Sequence, residues 1–596
     1  MLKDLVSKQK EDKDRLLSLP YISRIKEKDV EKWIASDLIK VILGPRRAGK
    51  SVFALMLLKS KNFAYFNFDD EALPGEEKIN LDELLSELKQ VYGDTKYILF
   101  DEIQNLPNWE LFANRLHRGG YNLVLTGSNA SLLSKELATH LTGRHIPIEI
   151  LPFSFTEILK AKQYEIKPER LSLPDEKAKL QGYVTQYMTN GGYPEVVTKG
   201  IDPRGYLDVL FDAVLFKDVI KRHKVRFSKQ IDGLGSFLIN NVSSQYSLRK
   251  LVNILSFKSG VTLEKYLGYL NEAYLIFSLE RHSTKASGRM LAPKKTYVVD
   301  NGFVTAKAIQ HSPNSGKLME NLVFVELVKK GNEPNRELFY YKTRNDREVD
   351  FVLKKGYQVV ELIQVSYEST AQDVEEREVK ALVEASEELN VTKLTVLTWN
   401  EKREVVKDGK TIQFIPLWEW LIAQANQPYR EIFMSDATFY HGSKDSGIKI
   451  FRPTEHIVGK GRLIVFATND KSYALAMVHS SGDDVAVSYS PNPDTRKREL
   501  YCDELTPGAL ESFNEPGYLY EVSSEFFFPS PEGLEGEYVS YDEVPVIKEI
   551  RIDNIKDELV RLGVNLIPYD EVSQSMQERG KEAKKPMHSF SQDRFK

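Results

Sequence analysis

The octapeptide GPRRAGKS, residues 44–51, decides the fold of the front of the chain. It follows the apolar run LIKVIL (38–43) and leads into the apolar stretch SVFALMLLKS (51–60). Two glycines, a lysine and a serine between a buried strand and a helix are the pattern of a phosphate-binding loop. The glycines let successive backbone N–H groups point at phosphate oxygens, and the helix N-terminus attracts an anion. The predicted loop consists of Gly44, Pro45, Arg46, Arg47, Ala48, Gly49, Lys50 and Ser51.

Two side chains of this loop and a second motif predict the chemistry. Lys50 places a positive charge near the β- and γ-phosphates of a nucleotide, and Ser51 offers a hydroxyl to Mg²⁺. The motif YILFDEIQN (97–105) is a short apolar strand that ends in Asp101 and Glu102. Such an acidic pair can be a plain helix cap, but with the loop it favours Asp101 as a support for Mg²⁺ and Glu102 as the general base. We therefore predict a site for ATP and Mg²⁺.

A third apolar strand, NLVLTGSNAS (122–131), contributes polar residues to the same prediction. It ends in Ser128 and Asn129, which we expect to sense the γ-phosphate. The phrase LTGR then brings Arg144, a candidate for stabilising charge in the transition state, within the subunit or across a subunit boundary. An ordinary surface ion pair is an equal alternative for Arg144.

Length and charge predict several domains with different surfaces. The 596 residues are too many for one core, so about three to five domains are expected. Residues 434–596 carry 19 Lys and Arg against 28 Asp and Glu, whereas the rest carries 63 against 58, which favours different partners for the two parts. The element pattern predicts a multidomain α/β protein. Its segments are a helical lead-in (1–40), a P-loop core with a parallel sheet (41–150), a helical lid (151–228), a winged-helix-like module (229–289), a second α/β domain (290–428), an α+β rear domain (434–565) and a polar tail (571–596).

Composition and termini favour a cytoplasmic protein. Cys502 is the single cysteine, which excludes an internal disulfide or a cysteine zinc site and fits a reducing compartment. The N-terminus lacks the apolar stretch of a signal peptide, and no run reaches the length of a membrane span.

Residues 15–425 resemble the bacterial and archaeal AAA-type ATPases that carry a C-terminal restriction-endonuclease-like domain of the DUF4143 type. The phrases that carry the resemblance are GPRRAGKS, ILFDEIQNLPNWE, LTGSNASLLSKELATHLTGR, LPFSFTEIL, GGYPEVV, FKDVIKR, REVDFVL and LIQVSY. The resemblance implies ATP binding and hydrolysis, and it leaves the cellular task open. Sites of the AAA type often lie between subunits, so the resemblance also implies that a homo-oligomer is plausible.

The winged-helix-like module, residues 229–289, is a candidate for docking DNA. A helix, a turn at Gly260, a second helix from Thr262 and a strand pair from Ala273 follow in the winged-helix rhythm. Such modules often bind DNA through the second helix. Lys265 is the only basic residue on that helix, which favours a packing module instead.

The second α/β domain, residues 290–428, is expected to be a degenerate nuclease-like domain. By the resemblance, an acidic residue on one strand and an acidic residue followed by lysine on the next would bind Mg²⁺. Asp350 matches the first position, but Gln364 and Ser366 stand where the second acid and the lysine belong. Glu320 and Glu326 are additional candidate ligands, located on the preceding helix. Because so little charge is left for a metal, a structural or DNA-docking domain is the favoured interpretation.

The rear domain resembles a diverged ADP-ribosyltransferase. The phrases that carry the resemblance are FYHGS (439–443), GKGRLIVFATNDKSYALA (459–476) and GEYVSYDEVPVIKEIRI (536–552). The resemblance implies NAD⁺ as a ligand: His441 would bond the adenosine ribose, Gly442 the carboxamide, and Tyr473 would stack on the nicotinamide. Glu537 would stabilise the oxocarbenium-like transition state. A protein or nucleic acid would accept the ADP-ribose.

The match of the rear domain has one departure and three ordinary alternatives. Val465 stands where poly(ADP-ribose) polymerases have a tyrosine. His441 is also consistent with a turn histidine, Tyr473 with core packing and Glu537 with solvated charge. The sequence as a whole predicts an ATPase that couples hydrolysis to rearrangement of its C-terminal domains. An NAD⁺-using effector controlled by an ATPase sensor, or a nucleotide-gated DNA-binding regulator, are the alternatives.

Overall fold

A computed structural model describes residues 2–73, 79–128, 144–171, 173–283, 285–308, 314–356, 358–367, 372–423, 438–455, 463–479, 484–492, 498–523, 527–529, 537–540, 543–572 and 574–575. Within it the chain divides into two compact units, Met1–Tyr429 and Arg430–Lys596. Three predicted features lie outside the described residues: Asn129, the 429–434 boundary, and the tail beyond residue 575. Among the described residues, no helix combines the length and the apolar character needed to cross a membrane.

The front of the first unit is a parallel five-stranded sheet with helices around it. The strands are β1 (Ile39–Leu43), β2 (Phe63–Asn67), β3 (Tyr97–Asp101), β4 (Asn122–Gly127) and β5 (His145–Glu149). Their spatial order is β2-β3-β4-β1-β5, and all described pairs are parallel. The accompanying helices are α1 (Leu2–Ser18), α2 (Glu27–Ile34), α3 (Lys50–Leu57), α4 (Leu81–Tyr92) and α5 (Trp109–Arg118).

The sequence explains why this sheet is parallel and covered on both faces. Every residue of β1 and β4 is buried, as expected for strands with helices on both sides. The helix α4 begins where the Asn80 side chain accepts hydrogen bonds from the N–H groups of Asp82 and Glu83. Because the strands are parallel, their carboxyl ends meet at one edge, where the 44–51 loop follows β1.

Helices dominate the next part of the first unit. They are α6 (Phe155–Ala161), α7 (Pro174–Asn190), α8 (Pro194–Lys199), α9 (Pro203–Val214), a π-helical segment (Leu215–Lys221), α10 (Ser228–Asn240), α11 (Leu248–Ile254), α12 (Gly260–Glu272), α13 (Ala286–Leu291) and α14 (Asn301–Lys307). A small antiparallel sheet in the order β6-β8-β7 is built from β6 (Ser244–Tyr246), β7 (Ile276–Leu279) and β8 (Lys294–Val298). The order helix, strand, two helices and two strands fits the predicted winged-helix rhythm, although that interpretation stays a prediction.

The last part of the first unit is a six-stranded mixed sheet in the order β13-β14-β12-β11-β10-β9. Its strands are β9 (Leu338–Lys342), β10 (Glu348–Lys355), β11 (Gln358–Ser366), β12 (Leu394–Thr398), β13 (Arg403–Lys407) and β14 (Lys410–Pro416). Its helices are α15 (Ser315–Lys329), α16 (Gln372–Leu389) and α17 (Leu417–Ala423). The antiparallel pairing of β10 with β11 brings Asp350 next to Gln364.

The second unit is mainly β structure. Its larger sheet runs β16-β24-β21-β15-β18-β23-β22, with β17 paired to β18, and a smaller one runs β19-β20-β25. The strands are β15 (Thr438–Ser443), β16 (Ile450–Phe451), β17 (Thr454–Glu455), β18 (Leu463–Thr468), β19 (Val485–Pro491), β20 (Arg498–Glu504), β21 (Gly517–Ser523), β22 (Phe528–Pro529), β23 (Glu537–Ser540), β24 (Val544–Ile552) and β25 (Asn565–Ile567). The described α-helices of this unit are α18 (Lys471–Ala476) and α19 (Ile555–Arg561), and two 3₁₀ helices span Ala509–Asn514 and Tyr569–Glu571.

Candidate nucleotide site

The backbone of the 44–51 loop needs its two glycines. Gly49 has φ +94°, and Gly44 has φ +142°, both in regions that side chains disfavour. A Cβ on Gly44 would lie 1.9 Å from the Ile150 carbonyl oxygen, so only glycine fits there. The loop is therefore held against the segment that follows β5.

Lys50 is the buried cation of the loop. Its side chain is 3% exposed, and its Nζ donates a hydrogen bond to the Pro45 carbonyl at 3.0 Å. The Glu102 carboxylate is 3.9 Å away. Burial lowers the pKa of Lys50 despite the nearby Glu102 and Asp101, so an anion at the loop would stabilise its charged form.

Asp101 collects three hydroxyl donors at the end of β3. Ser51 Oγ donates to Asp101 Oδ1 at 2.9 Å, Thr126 Oγ1 donates to the same oxygen, and Tyr65 donates to Oδ2 at 3.2 Å. Burial, followed by the charge of Glu102, raises the pKa of Asp101. A carboxylate beside a serine hydroxyl is an oxygen donor set of the kind that Mg²⁺ prefers, and a cation here would favour the ionised carboxylate.

Glu102 is held in a strained and well-supported position. Its φ of 50° lies in the left-handed region, and its N–H donates to Thr126 Oγ1 at 3.0 Å. Gln104 donates to the Glu102 carboxylate and, at 3.3 Å, to Ser128 Oγ. Burial would raise the pKa of Glu102, but Lys50 and Gln104 hold it below its ordinary value. The group is therefore an ionised carboxylate, the form that a general base requires.

Arg24 braces the loop from behind, a role that the sequence did not predict. Its Nη1 donates to the Ala48 carbonyl at 2.9 Å, and its Nε donates to Glu157 at 3.1 Å. Glu157 also forms a capping box with Ser154 at the start of α6. Thr126 was missed as well, although its place before Gly127 at the end of an apolar strand was a usable signal.

The structure does not bring Arg144 to the loop. It stands just before β5, and β5 runs parallel to β1 with Ile39 opposite His145, so Arg144 lies at the sheet edge opposite the loop. Its side chain donates to Asn114 Oδ1 at 2.9 Å. A role within the subunit does not fit this position, and a role across a subunit boundary stays a prediction. Ser128, in contrast, lies at the loop edge.

A buried lysine occupies the predicted metal site of the second α/β domain. Lys295 Nζ lies 2.6 Å from Glu320, 2.8 Å from Glu348 and 3.0 Å from Asp350. Tyr297 also donates to Glu320. Asp350 and Glu320, two candidate metal ligands of the sequence analysis, thus both contact the ammonium group of Lys295. Among the described residues, no cluster of His, Cys, Asp or Glu suited to a metal is found.

Three other residues of that domain, Glu326, Gln364 and Ser366, were considered for the same metal site. Glu326 faces Tyr187, which donates to it, and Lys329 on the same helix, so it does not join Asp350. Gln364 accepts a hydrogen bond from the Asp350 N–H at 3.2 Å, and Ser366 is buried at the end of β11. Because Glu326 contacts Tyr187 and Lys329 instead of Asp350, the prediction of Glu326 as an additional ligand is wrong.

In the second unit, the three predicted phrases form neighbouring strands. His441 on β15 and Glu537 on β23 flank β18, where Thr468 pairs with Glu537 in register. His441 Nδ1 lies 2.6 Å from the Phe466 carbonyl. Gly442 packs so closely that a Cβ would lie 2.1 Å from the Ala474 carbonyl oxygen of α18.

Tyr473 does not fit its predicted role of stacking on a ligand. It is buried within α18, and its ring stacks on Tyr489 with centroids 5.9 Å apart. This is the core packing that the sequence left open as the alternative. The predicted roles of His441, Gly442 and Glu537 stay predictions.

Comparison with protein families and relatives places the front of the chain. A family described as an AAA domain matches residues 36–159, and two domains of unknown function, DUF8612 and DUF4143, match residues 181–313 and 315–420. The uncharacterized protein MJ1544 of Methanocaldococcus jannaschii is 36% identical over 417 residues, which cover 67% of this chain and 91% of that protein. An uncharacterized protein of Haemophilus influenzae is 30% identical over 349 residues, 56% of this chain and 83% of that protein.

Solved structures resemble parts of the chain more distantly. The Walker-type ATPase PABY2304 of Pyrococcus abyssi is 16% identical, covers 49% of this chain and all of its own, and has a TM-score of 0.33. The Aeropyrum pernix ORC1 protein in complex with DNA is 10% identical, covers 50% of this chain and 96% of its own, and has a TM-score of 0.26. Scores this low carry no conclusion about this chain.

Proposed function

This chain belongs to the family of MJ1544 and carries an AAA-type P-loop domain, and on that premise we propose that it binds ATP with Mg²⁺ and hydrolyses it. The observation that carries the proposal is the assembly of Lys50, Ser51, Asp101 and Glu102 at one edge of the parallel sheet. These are the groups that positioning and charge stabilisation of a transferring phosphoryl group require.

Each side chain has a distinct part in the proposed reaction. Lys50 and the loop N–H groups bind the phosphates. Ser51 and Asp101 would hold Mg²⁺, which would neutralise phosphate charge. Glu102 accepts a proton from the attacking water, and Gln104 keeps its carboxylate in place. Ser128, hydrogen-bonded to Gln104, lies where it can report the γ-phosphate to this network.

We also propose that hydrolysis is coupled to rearrangement of the C-terminal domains. Within the first unit, Lys329 of α15 donates to the Phe153 carbonyl at 2.8 Å, and Phe153 N–H donates to the Gly192 carbonyl at 2.7 Å. These contacts join the second α/β domain to segments next to the loop. Limited proteolysis of the 424–437 segment with and without nucleotide checks the coupling to the rear domain, and an unchanged cleavage pattern would count against it.

The test of the ATPase is phosphate release by the full chain and by Glu102→Gln. Loss of a general base lowers turnover by about a hundred- to ten-thousand-fold, while ATP binding persists. Glu110→Gln, on the helix after the acidic motif, is the matched control and keeps normal turnover. Full turnover by Glu102→Gln would refute the assigned base. The same assay with duplex DNA addresses the DNA-docking alternative, which predicts a DNA effect that weakens steeply with salt.

The second unit supports a second candidate, transfer of ADP-ribose from NAD⁺ to a macromolecule with release of nicotinamide. The supporting observation is that β15, β18 and β23 are adjacent and carry His441 and Glu537. Nicotinamide release from NAD⁺ by the wild type, lost in Glu537→Gln and kept in Glu543→Gln, is the expected result. If the wild type releases no nicotinamide in the presence of ATP and none in the presence of ADP, this candidate function is excluded.

A further inference from the structure

We propose that Arg46 contacts the terminal phosphate of the bound nucleotide and that Asp218 is the residue that positions its guanidinium. The proposal rests on the ATP-binding function proposed above. It gives a function to FKDVIKR, residues 216–222, a phrase whose role the sequence left open.

Asp218 accepts two hydrogen bonds from the guanidinium of Arg46. Arg46 Nε donates to Asp218 Oδ2 at 2.7 Å, and Nη2 donates to Oδ1 at 3.3 Å. A third donor, Nη1, reaches Asp69 Oδ2 at 3.3 Å. Two carboxylates on different elements therefore fix the plane of the guanidinium. Fork-to-fork pairs of this kind provide geometric specificity in addition to energy.

The pair is rigid on the side of Asp218. The Asp218 side chain is 2% exposed and also lies 3.3 Å from Arg222 Nη2, one turn along. It belongs to the π-helical segment Leu215–Lys221, and such segments occur often at functional sites. A carboxylate this well buried and doubly paired costs more to move than an exposed one, so it can hold the arginine in one orientation.

The guanidinium lies where a phosphate chain would need it. Arg46 is the third residue of the phosphate loop, and Asp69 follows β2 at the same sheet edge as Asp101. Arg46 is close enough to Lys50 and Glu102 for their charges to interact. Its three hydrogen bonds use three of the five N–H donors of an arginine, so Nη1 and Nη2 each keep one for an anion.

The neighbouring arginine shows the contrast. Arg47 has a side chain that is 65% exposed, and its nearest carboxylate, Glu195, is 3.6 Å away. Arg47 is thus loosely held at the surface, whereas Arg46 is oriented by a buried partner. Two adjacent arginines of one loop therefore differ in how well each is organised for a ligand, and the organised one is the phosphate contact.

The test measures ATP and ADP affinity of the full chain by titration. Arg46→Ala is expected to weaken ATP binding about tenfold, as for the loss of a charge-assisted contact, and ADP binding by less than about threefold. Asp218→Asn should weaken ATP binding by about threefold in the same direction, and Asp218→Glu should restore part of it. Asp212→Asn is the control, because that exposed carboxylate pairs with Lys307 at 2.6 Å instead of with the loop.

A double-mutant cycle decides whether Asp218 acts through Arg46. If it does, adding Asp218→Asn to Arg46→Ala causes no further loss of ATP affinity. A further loss equal to that of the single variant would overturn the positioning role. Thermal unfolding first checks that Arg46→Ala is folded. If the folded variant has the wild-type ratio of ATP affinity to ADP affinity, the proposed phosphate contact is overturned. If the wild type binds no ATP, both the ATPase proposal and the role of Arg46 fail. If the wild type binds ATP but Arg46→Ala leaves the ratio of ATP to ADP affinity unchanged, only the role of Arg46 fails.

Discussion

Two buried lysines, Lys50 and Lys295, sit beside carboxylates in the first unit, and their surroundings differ. Lys50 donates to a backbone carbonyl at 3.0 Å, and Glu102 is 3.9 Å away. Lys295, whose side chain is 1% exposed, has carboxylate oxygens of three residues within 3.0 Å. Burial lowers the pKa of Lys50, whereas at Lys295 the same penalty is outweighed by Glu320 and the other acids, which raise its pKa.

The difference separates a cation kept for a ligand from a cation used by the fold. The charge of Lys50 is incompletely compensated within the protein, so incoming phosphates improve its environment. The charge of Lys295 is compensated within the protein, because its ammonium group lies between Glu320, Glu348 and Asp350. The carboxylates around Lys295 thus form an internal ion-pair network, whereas the phosphate loop leaves Lys50 able to accept an anion.

The largest effect is expected from removing the structural lysine. Lys295→Met leaves three acidic groups without their cation and should destabilise the first unit by about 3–5 kcal/mol. Lys294→Met, which removes only a partly exposed pair with Glu280, should cost less than about 1 kcal/mol. Thermal and chemical unfolding of both variants measure this. Equal unfolding midpoints for Lys295→Met and wild type would contradict the network.

A smaller effect concerns pH and the same cluster. Burial and then Asp350 raise the pKa of Glu320 from 4.5 to about 8, so between these values the folded state holds a proton that the unfolded state releases. Stability should therefore fall as pH rises through this window, by about 2 kcal/mol or less. Glu320→Gln cannot ionise and should flatten the dependence.

The unfolding free energy of Glu320→Gln and wild type at pH 5 and pH 8 is the measurement. Glu333→Gln, at an exposed carboxylate paired with Arg336, serves as the matched control and should retain the wild-type slope. If wild-type stability rises over this range, the carboxyl is ionised throughout and the assignment is wrong.

Asp101, the proposed support for magnesium, should show the opposite balance between stability and activity. Burial raises the pKa of Asp101, so its ionised form costs folding free energy at neutral pH. Asp101→Asn should stabilise the first unit by about 1 kcal/mol while turnover is lost. Unfolding and phosphate release are measured on the same preparation. A destabilised variant would mean that the hydroxyls of Ser51 and Thr126 more than offset the burial.

The smallest effect is expected at Gln104, the side chain that donates a hydrogen bond to the proposed general base, Glu102. Gln104→Ala removes the donor to Glu102 and to Ser128, and turnover should fall by about threefold because the base is less well oriented. ATP affinity should stay the same, since Gln104 contacts no loop atom among the bonds described. Steady-state kinetics separate the two quantities. A weaker KM with unchanged kcat would assign Gln104 to binding instead.

Local patterns predicted the phosphate loop and the ends of β3 and β4, because the apolar strands and the residues that follow them are contiguous in the sequence. Contacts between residues that are far apart in the sequence could not be predicted from such local patterns. Arg46 and Asp218 are 172 residues apart, Arg24 and Glu157 are 133 apart, and Lys295 and Asp350 are 55 apart.

Arg144 shows why proximity in the sequence alone does not place a side chain at a site. The phrase LTGR follows the third apolar strand in the sequence, which suggested that Arg144 lies near the loop. However, β5 begins directly after Arg144, so this residue lies at the edge of the sheet opposite the loop. The sequence could not decide the role of Tyr473, because an aromatic residue on a short helix gives the same pattern whether it packs in a core or stacks on a ligand. Its stacking on Tyr489 decided between them.

The central claim is that Lys50 keeps its charge for a nucleotide, and ATP binding by the full chain with Mg²⁺ tests it most directly. Saturable binding by the wild type is expected, and Lys50→Met should weaken it by about a hundredfold or more with an unfolding midpoint that is unchanged or higher. Equal ATP affinity in wild type and Lys50→Met, or a strong loss of stability in the variant, would show that Lys50 serves the fold as Lys295 does.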